Sequence, residues 1–150
     1  MHVDLVLEGV AEAGLDSASV ERLVTGVLED LGVEGECALA VCLVDDEAIR
    51  ALNRTHRGLD SVTDVLSFPV DGLDPLPSDM ERELGDVVIS LAQARRQAED
   101  EGVSEHEELT HLVVHGVLHL AGFDHETDGG EMLEREDRLV AALPPVASSA

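Results

Sequence analysis

The sequence predicts a single α+β domain, in which a mixed sheet of mostly four strands packs with four to six helices. Segments rich in apolar and β-branched residues alternate along the chain with segments whose apolar residues recur at helical spacing. The 150 residues, 44% of them hydrophobic, suit one core. No internal repeat divides the chain. We therefore expect one domain over residues 1–150, with 144–150 as a frayed tail.

The first elements are a strand and a helix. Apolar residues alternate with polar ones through 2–8, a pattern typical of an edge strand. Apolar residues at helical spacing then follow Ser17 or Ser19, either of which suits the cap of a helix. Gly32 is placed to end this helix.

A second strand and helix follow. The run 37–44 is apolar and β-branched, which indicates a buried strand, and an aspartate after it is placed to cap a helix over about 46–57. Cys37 and Cys42 are five residues apart in the strand, so they point to opposite faces and cannot easily pair. We interpret both as reduced core residues.

The second half of the chain predicts two more strands and three more helices. The strands lie at 65–70 and 86–89, on either side of a loop that contains proline. Helical spacing extends over about 90–101 and 105–121, and a last amphipathic helix follows the glycine pair 129–130. The total of about four strands and four or five helices thus predicts an α+β or mixed α/β sandwich.

The composition is strongly acidic. There are 33 acidic residues and 9 basic ones, all of them Arg, so the formal net charge is −24. Such a surface repels nucleic acid at long range, and any RNA contact must be local. With two Phe as its only aromatic residues, the chain lacks a platform on which bases could stack.

No apolar run approaches the roughly 20 residues of a membrane span, and the start resembles no signal peptide. We expect a cytoplasmic protein without membrane association.

The pattern His115, His119, Gly122, His125 predicts a catalytic metal site. Residues four apart on a helix lie on the same face, so the first two imidazoles can reach one ion. Gly122 can leave the helix in a left-handed conformation, which would turn the chain and bring His125 back as the third ligand. Catalytic zinc sites use three protein ligands and leave the fourth position to water or substrate. The alternative interpretation is that these histidines are hydrogen-bonded core residues on a buried helix and bind no metal.

Neighbouring residues leave several roles open. In the zincin protease motif H-E-x-x-H the residue after the first histidine is a catalytic glutamate, whereas here it is Gly116. Asp124 and Glu126 could act as ligand, as base, or as a hydrogen-bond partner that orients an imidazole. His111 lies one turn before His115 and is interpreted as a supporting or core residue, with metal contact as the alternative.

A second group of candidates is a stripe of arginines on the helix over 46–57. Arg50, Arg54 and Arg57 share one helix face, and guanidinium groups bind phosphate oxygens in a bidentate manner. Salt bridges to the many carboxylates are the more economical interpretation for Arg50 and Arg54. Arg57 differs because it leads directly into the loop before the third strand, where a charged residue often faces a cleft.

Several of these segments together resemble a known family. The segments LNRTHR at 52–57, TDVLSFP at 63–69, LGDVVIS at 84–90 and the histidine motif at 115–125 resemble, in order and spacing, those of the bacterial YbeY family. The resemblance covers about residues 45–140. The strong acidity and the absence of Lys depart from it, because they weaken the electrostatic argument for RNA binding.

The resemblance implies a zinc-dependent, single-strand-specific endoribonuclease that acts in maturation of the 16S ribosomal RNA 3′ end and in ribosome quality control. It implies one Zn²⁺ per chain, held by His115, His119 and His125, and a functional cleft arginine at Arg57. The expected partners are single-stranded ribosomal RNA and the ribosome or its assembly proteins, with no DNA substrate. The alternatives are a zincin-like metallopeptidase and a non-catalytic ribosome-assembly factor that the metal stabilises.

Overall fold

A computed structural model describes residues 1–10, 14–77 and 79–148. In these ranges the chain forms four strands and five helices within a single domain, which confirms the predicted α+β class. They are, in chain order, β1 His2–Glu8, α1 Ser17–Asp30, β2 Cys37–Val44, α2 Asp46–Arg57, β3 Val65–Pro69, β4 Arg82–Ser90, α3 Leu91–Glu101, α4 Glu105–Leu120 and α5 Glu131–Ala142.

The four strands form one mixed sheet in the order β1, β2, β4, β3. β1, β2 and β4 are parallel, so the connections between them cross over through helices, whereas β3 pairs antiparallel with β4 across a hairpin. β1 lies at an edge, as predicted. β3 forms the other edge, and this places its entry loop next to the end of α2.

The two faces of the sheet bury different cores. Cys37, Val41 and Leu43 of β2 point into the larger core, which is built with α1, α4 and α5. Val44 points into a smaller core under α2, and Cys42 packs against it. Both cysteines are free, and their opposite orientation agrees with the prediction from strand periodicity.

β4 is longer than its predicted span of 86–89. It begins at Arg82, and its pairing with β2 skips Leu84 in a bulge. The next residue, Gly85, has a φ of +123°, and a Cβ there would collide with the carbonyl oxygen of Phe68. The bulge and the close strand approach interrupt the simple alternation that predicts strands from sequence.

The expected frayed tail is wrong for residues 146–148. Val146 is 2% exposed, and its backbone N–H donates to Thr110 Oγ1 at 3.0 Å. Ser19, one of the two predicted helix caps, instead accepts from the N–H of Ala147 at 2.9 Å, while Asp16 caps α1. The tail is held because one apolar side chain and its backbone N–H groups find buried partners. Residues 149 and 150 lie outside the described part.

α4 is the central helix, and it packs against β3, β4, α1, α3 and α5. Its start is fixed by a capping box, in which Ser104 Oγ accepts from the N–H of Glu107 and the Glu107 carboxylate accepts from the N–H of Ser104. Because it is buried on most sides, α4 forms a rigid support for its histidines. Over the described ranges, no helix has the length and apolarity required to cross a membrane.

Candidate metal centre

The turn after α4 brings the histidines together. The N–H of Gly122 donates to the carbonyl of His119 and the N–H of Phe123 to that of Leu118, the paired bonds of a Schellman motif. Gly122 has a φ of +100°, which agrees with its predicted left-handed conformation. The chain then reverses through a turn at Asp124 and carries His125 back over the end of the helix.

His115, His119 and His125 form a compact cluster. Each offers one ring nitrogen, and these three atoms lie within 4.8 Å of one another. The Nε2 atoms of His115 and His119 are 3.1 Å apart. Two nitrogens bound to one tetrahedral zinc at 2.0–2.1 Å would be about 3.3 Å apart. The spacing of this pair therefore fits a single transition-metal ion after a shift of a few tenths of an ångström, and the third nitrogen lies close enough to join it.

The electrostatic state of the cluster also suits a cation. Burial, followed by the proximity of His115 and His125, lowers the pKa of His119, so its imidazole is kept neutral with a free lone pair. His125 Nδ1 is buried and has no hydrogen-bond partner among the described residues. A buried polar atom without a partner is costly. A metal ion coordinated through this nitrogen would supply the missing partner.

Glu136 of α5 supports the cluster from behind and is a residue that the sequence analysis missed. It is 2% exposed. Its Oε1 lies 2.5 Å from Nδ1 of His115, and its Oε2 lies 2.7 Å from Nε2 of His111. Because the carboxylate accepts the proton on Nδ1, Nε2 of His115 is left as the lone pair that faces His119.

The protonation of this group follows from the same contacts. Burial by itself would raise the pKa of Glu136, but the hydrogen bonds from His111 and His115 outweigh it and lower the pKa to about 2. The hydrogen bond to Glu136 raises the pKa of His111 in turn. The carboxylate is therefore ionised and holds a hydrogen bond to each imidazole. His111 takes the supporting role that was predicted for it.

Gly116 occupies the position of the zincin glutamate for a packing reason. A Cβ at this position would collide with Cγ1 of Val87 on β4 and would lie 3.0 Å from Cγ2. The carbonyl of Gly116 accepts a hydrogen bond from Ser67 Oγ at 3.0 Å, which ties α4 to β3. No side chain fits at this point of the helix, so the catalytic carboxylate of a zincin cannot be placed there.

The two acidic candidates after the turn stay outside the histidine cluster. Oδ1 of Asp124 accepts from the N–H of Glu126 at 3.0 Å, so this carboxylate stabilises the turn itself. Among the residues that the structure describes, neither Asp124 nor Glu126 belongs to a group of potential ligands close enough to hold an ion. Both line the cavity in front of the histidines.

Arg57, the last residue of α2, lines that same cavity, as its place before the loop to β3 predicted. Arg50 and Arg54 instead pair with Asp60, at 2.9 and 3.7 Å. Arg57 forms no ion pair with any residue in the described ranges, so its guanidinium is available to a ligand. α2 ends at the left-handed Gly58, with a φ of +72°, and this directs the last turn of the helix toward β3.

The cavity has a volume of about 650 Å³. Its floor is formed by β3 and the end of α4, and its lining includes Arg57 together with His115, His119 and His125. The arrangement thus combines a three-nitrogen donor set with an arginine that has no ion-pair partner in the described ranges, and both face an open cleft. Such a site can polarise an anionic ester and stabilise the charge that develops when it is cleaved.

Comparison with known proteins gives consistent results. Residues 10–144 match the family model described as Endoribonuclease YbeY. The chain is 40% identical over 146 residues to Endoribonuclease YbeY of Roseiflexus castenholzii, covering 94% of this chain and 92% of the relative. It is 44% identical over 137 residues to that of Nitrobacter winogradskyi, covering 88% and 71%. The solution structure of TM1509 from Thermotoga maritima superposes with a TM-score of 0.58 at 29% identity, covering 92% of this chain and 86% of that one.

Proposed function

The chain belongs to the YbeY endoribonuclease family, and on this premise we propose that it is a zinc-dependent, single-strand-specific endoribonuclease. Its proposed role is maturation of ribosomal RNA at the 3′ end of 16S RNA, together with ribosome quality control. Its proposed partners are single-stranded ribosomal RNA and the ribosome or its assembly proteins. This role would place the enzyme in the cytoplasm, where ribosomes are assembled.

One observation carries the proposal. His115, His119 and His125 converge in the same cavity that Arg57 lines without a carboxylate partner. Three neutral imidazoles fit zinc and leave one coordination position for water or substrate. The arginine is well suited to a phosphate because its charge is permanent and its donors are arranged in a planar fork.

The residues of the chain have separate roles in this mechanism. When bound, zinc would supply Lewis acidity and would lower the pKa of a coordinated water. Arg57 binds a non-bridging oxygen of the phosphodiester and stabilises the charge that develops on it. Glu136 holds His115 in the tautomer that presents Nε2 to the cleft, and Ser67 fixes the distance between the strand edge and α4.

The charge of the protein limits how RNA is bound. With a net charge of −24, long-range attraction to RNA is absent, so affinity must come from contacts within the cleft. Added salt screens the general repulsion and also weakens the phosphate contact of Arg57. We therefore expect this enzyme to need its partners on the ribosome to hold the substrate near the cleft.

The variant Arg57→Ala tests the proposal. Turnover of a single-stranded RNA substrate should fall by about 10²- to 10³-fold, the usual cost of removing one donor that stabilises transition-state charge. Zinc content, measured on protein purified without a histidine tag, should not change. Arg54→Ala is the matched control, because Arg54 lies on the same helix face but pairs with Asp60.

His119→Ala provides the second arm of this experiment, and it should lose both zinc and cleavage. If Arg57→Ala cleaved RNA at the rate of the parent protein, the role assigned to Arg57 would be wrong. If His119→Ala retained full cleavage, the metal mechanism itself would be refuted. Cleavage of double-stranded RNA at the same rate as single-stranded RNA would contradict the proposed specificity.

The metallopeptidase alternative is disfavoured by the packing of Gly116 against Val87, which removes the position of the zincin glutamate. Incubating the zinc-loaded protein with a peptide library and a single-stranded RNA library separates the two activities. Cleavage of peptides without cleavage of RNA would favour the peptidase.

In the non-catalytic alternative, the metal only stabilises the turn after α4. The proposed enzyme should keep its far-ultraviolet circular dichroism after treatment with a chelator, because its cores on both faces of the sheet form without the metal. It should lose RNA cleavage and regain it when zinc is added. Unfolding on chelation, with no cleavage after refolding, would favour the assembly factor.

A further inference from the structure

A second cavity, of about 390 Å³, adjoins the first and shares His115 and Asp64 with it. It lies between α3, α4 and α5. Its lining includes the acidic residues Asp64, Asp100, Glu101, Glu108 and Glu136. The cavity is therefore negatively charged and would repel an RNA phosphate.

Most of this negative charge has no compensating cation. Glu136 is balanced by its imidazole partners, but Asp100, Glu101 and Glu108 form no ion pair within the described residues. Within the described residues Asp64 accepts only from neutral donors, which are the N–H of Val65 at 2.8 Å, the side-chain amide of Gln97 at 3.3 Å and the Thr63 hydroxyl at 3.5 Å. No Arg lines the cavity.

Glu108 gives an independent indication of a ligand. It lies on the buried face of α4, is 4% exposed, and its Oε2 has no hydrogen-bond partner among the described residues. Burial, followed by a hydrogen bond shared with the neighbouring Glu101 carboxyl group, raises the pKa of Glu108 to about 7. A carboxylate oxygen that is buried without a partner is costly unless a positive group or a proton compensates its charge.

The walls of the cavity indicate the chemistry of that group. In the described ranges, no carboxylates here bring three ligand atoms as close together as the histidines do, so a directly coordinated metal ion is disfavoured. Leu112 and Leu133 line the cavity beside the acids. Apolar walls next to carboxylates suit a cationic nitrogen carried on a methylene chain, because the chain packs against the leucines while the head is neutralised.

We propose that this cavity binds an alkylguanidinium or alkylammonium group, with Glu108 as its buried anionic partner. The site goes beyond the nuclease function and does not depend on it. The cationic group can come from a small polyamine or from an Arg or Lys side chain of a protein partner, and the two sources share the recognition described above.

Calorimetric titration of the full-length, zinc-loaded protein at about 0.15 M salt, which screens diffuse attraction, tests this site. The probes are Nα-acetyl-argininamide for a protein side chain and spermidine for a polyamine. Nα-acetyl-citrullinamide is the control ligand, because it has nearly the same shape as the arginine derivative and no charge. We expect saturable binding of at least one cationic probe at one site per chain, and no binding of the citrulline derivative.

Variants then locate the site. Glu108→Gln should weaken binding of the cationic probe by about tenfold or more, the usual cost of losing a hydrogen bond between charged groups. Glu99→Gln is the matched control, because Glu99 is exposed on α3 and does not line the cavity; its affinity should stay within about twofold. Asp100→Asn, at the exposed rim, provides the second test should the buried variant fail to fold.

The outcomes separate the proposal from diffuse attraction to an acidic protein. Absence of saturable binding by every cationic probe would overturn it, as would equal weakening by Glu99→Gln and Glu108→Gln. Binding of the arginine derivative alone would support a protein partner, and binding of spermidine alone would support a polyamine. Because the readout is binding rather than cleavage, failure here would leave the nuclease proposal intact.

Discussion

Replacing Glu136 with Gln tests how the buried carboxylate supports the metal centre. Glu136 accepts a hydrogen bond from each of two imidazoles, with 2.5 Å to His115 and 2.7 Å to His111. Gln has nearly the same shape but can accept at only one of these positions, so an N–H group must face one of the rings. When it faces His115, the proton of that ring moves to Nε2 and blocks the lone pair. Loss of such a partner typically weakens metal binding by about 10- to 100-fold.

The pH dependence of the metal-free protein provides a second readout. The pKa of Glu136 is about 2 in the folded protein and ordinarily 4.5. This depressed pKa corresponds to a stabilisation on the order of 3 kcal/mol. The stabilisation is complete above pH 4.5 and is lost as the pH falls from 4.5 toward 2. The raised pKa of His111 changes stability with pH in the opposite direction. Its contribution to the free energy of unfolding is present below the ordinary pKa of 6.5 and is lost as the pH rises through the pKa of the folded protein.

The assay is a competition titration with a chromophoric zinc chelator, accompanied by denaturant unfolding of the metal-free protein at several pH values. Glu134→Gln is the control, since Glu134 is exposed on the same helix. We expect weaker zinc binding only in Glu136→Gln, and a stability difference from the parent that shrinks as the pH falls below 4.5. Zinc affinity within twofold of the parent would refute the orienting role, and a stability difference independent of pH would refute the electrostatic argument.

Two further substitutions have expected outcomes. Gly116→Ala would drive a Cβ into Val87 and should lower the free energy of unfolding by about 1–3 kcal/mol. In denaturant unfolding, the double variant with Val87→Ala should lose less stability than the sum of the losses in the two single variants. Additive losses would argue against the clash. For Glu108, whose pKa is raised from 4.5 to about 7, stability is greatest below pH 4.5 and is lost as the pH rises through 7. As the pH rises from 4.5 to 8 without a bound cation, the free energy of unfolding of Glu108→Gln should therefore increase relative to that of the parent, by up to about 3 kcal/mol. Glu99→Gln should show no such increase. A difference in stability between Glu108→Gln and the parent that stays constant across this interval would contradict the assigned burial.

Local spacing was sufficient to predict the elements that carry the ligands. The prediction of a strand over 37–44 agrees with β2, and the predicted helices over 46–57 and 105–121 agree with α2 and α4 within a residue. The left-handed turn at Gly122 was also predictable, because a glycine at the end of an apolar helical pattern indicates a particular backbone conformation. These features depend on residues that are near one another in the chain.

Glu136 shows where this kind of reasoning stops. It is 21 residues from His115 in sequence, and no spacing rule connects them. A signal was nevertheless present, because Glu136 lies on the buried face of α5 with Met132 and Leu139. A carboxylate in an apolar stripe is rarely buried without a partner, but the identity of that partner depends on how α5 packs against α4.

The sequence by itself determined the family, the class of the fold, the three histidines and the arginine at the end of the second helix, because each is encoded in short-range patterns of residue type. The tertiary structure alone decided that Arg57 lines the cavity of the histidines, that Glu136 orients His115, and that residues 146–148 are held against the domain. These arrangements join distant parts of the chain through burial and hydrogen bonding. Their energies depend on which surfaces meet, and chain spacing does not specify that.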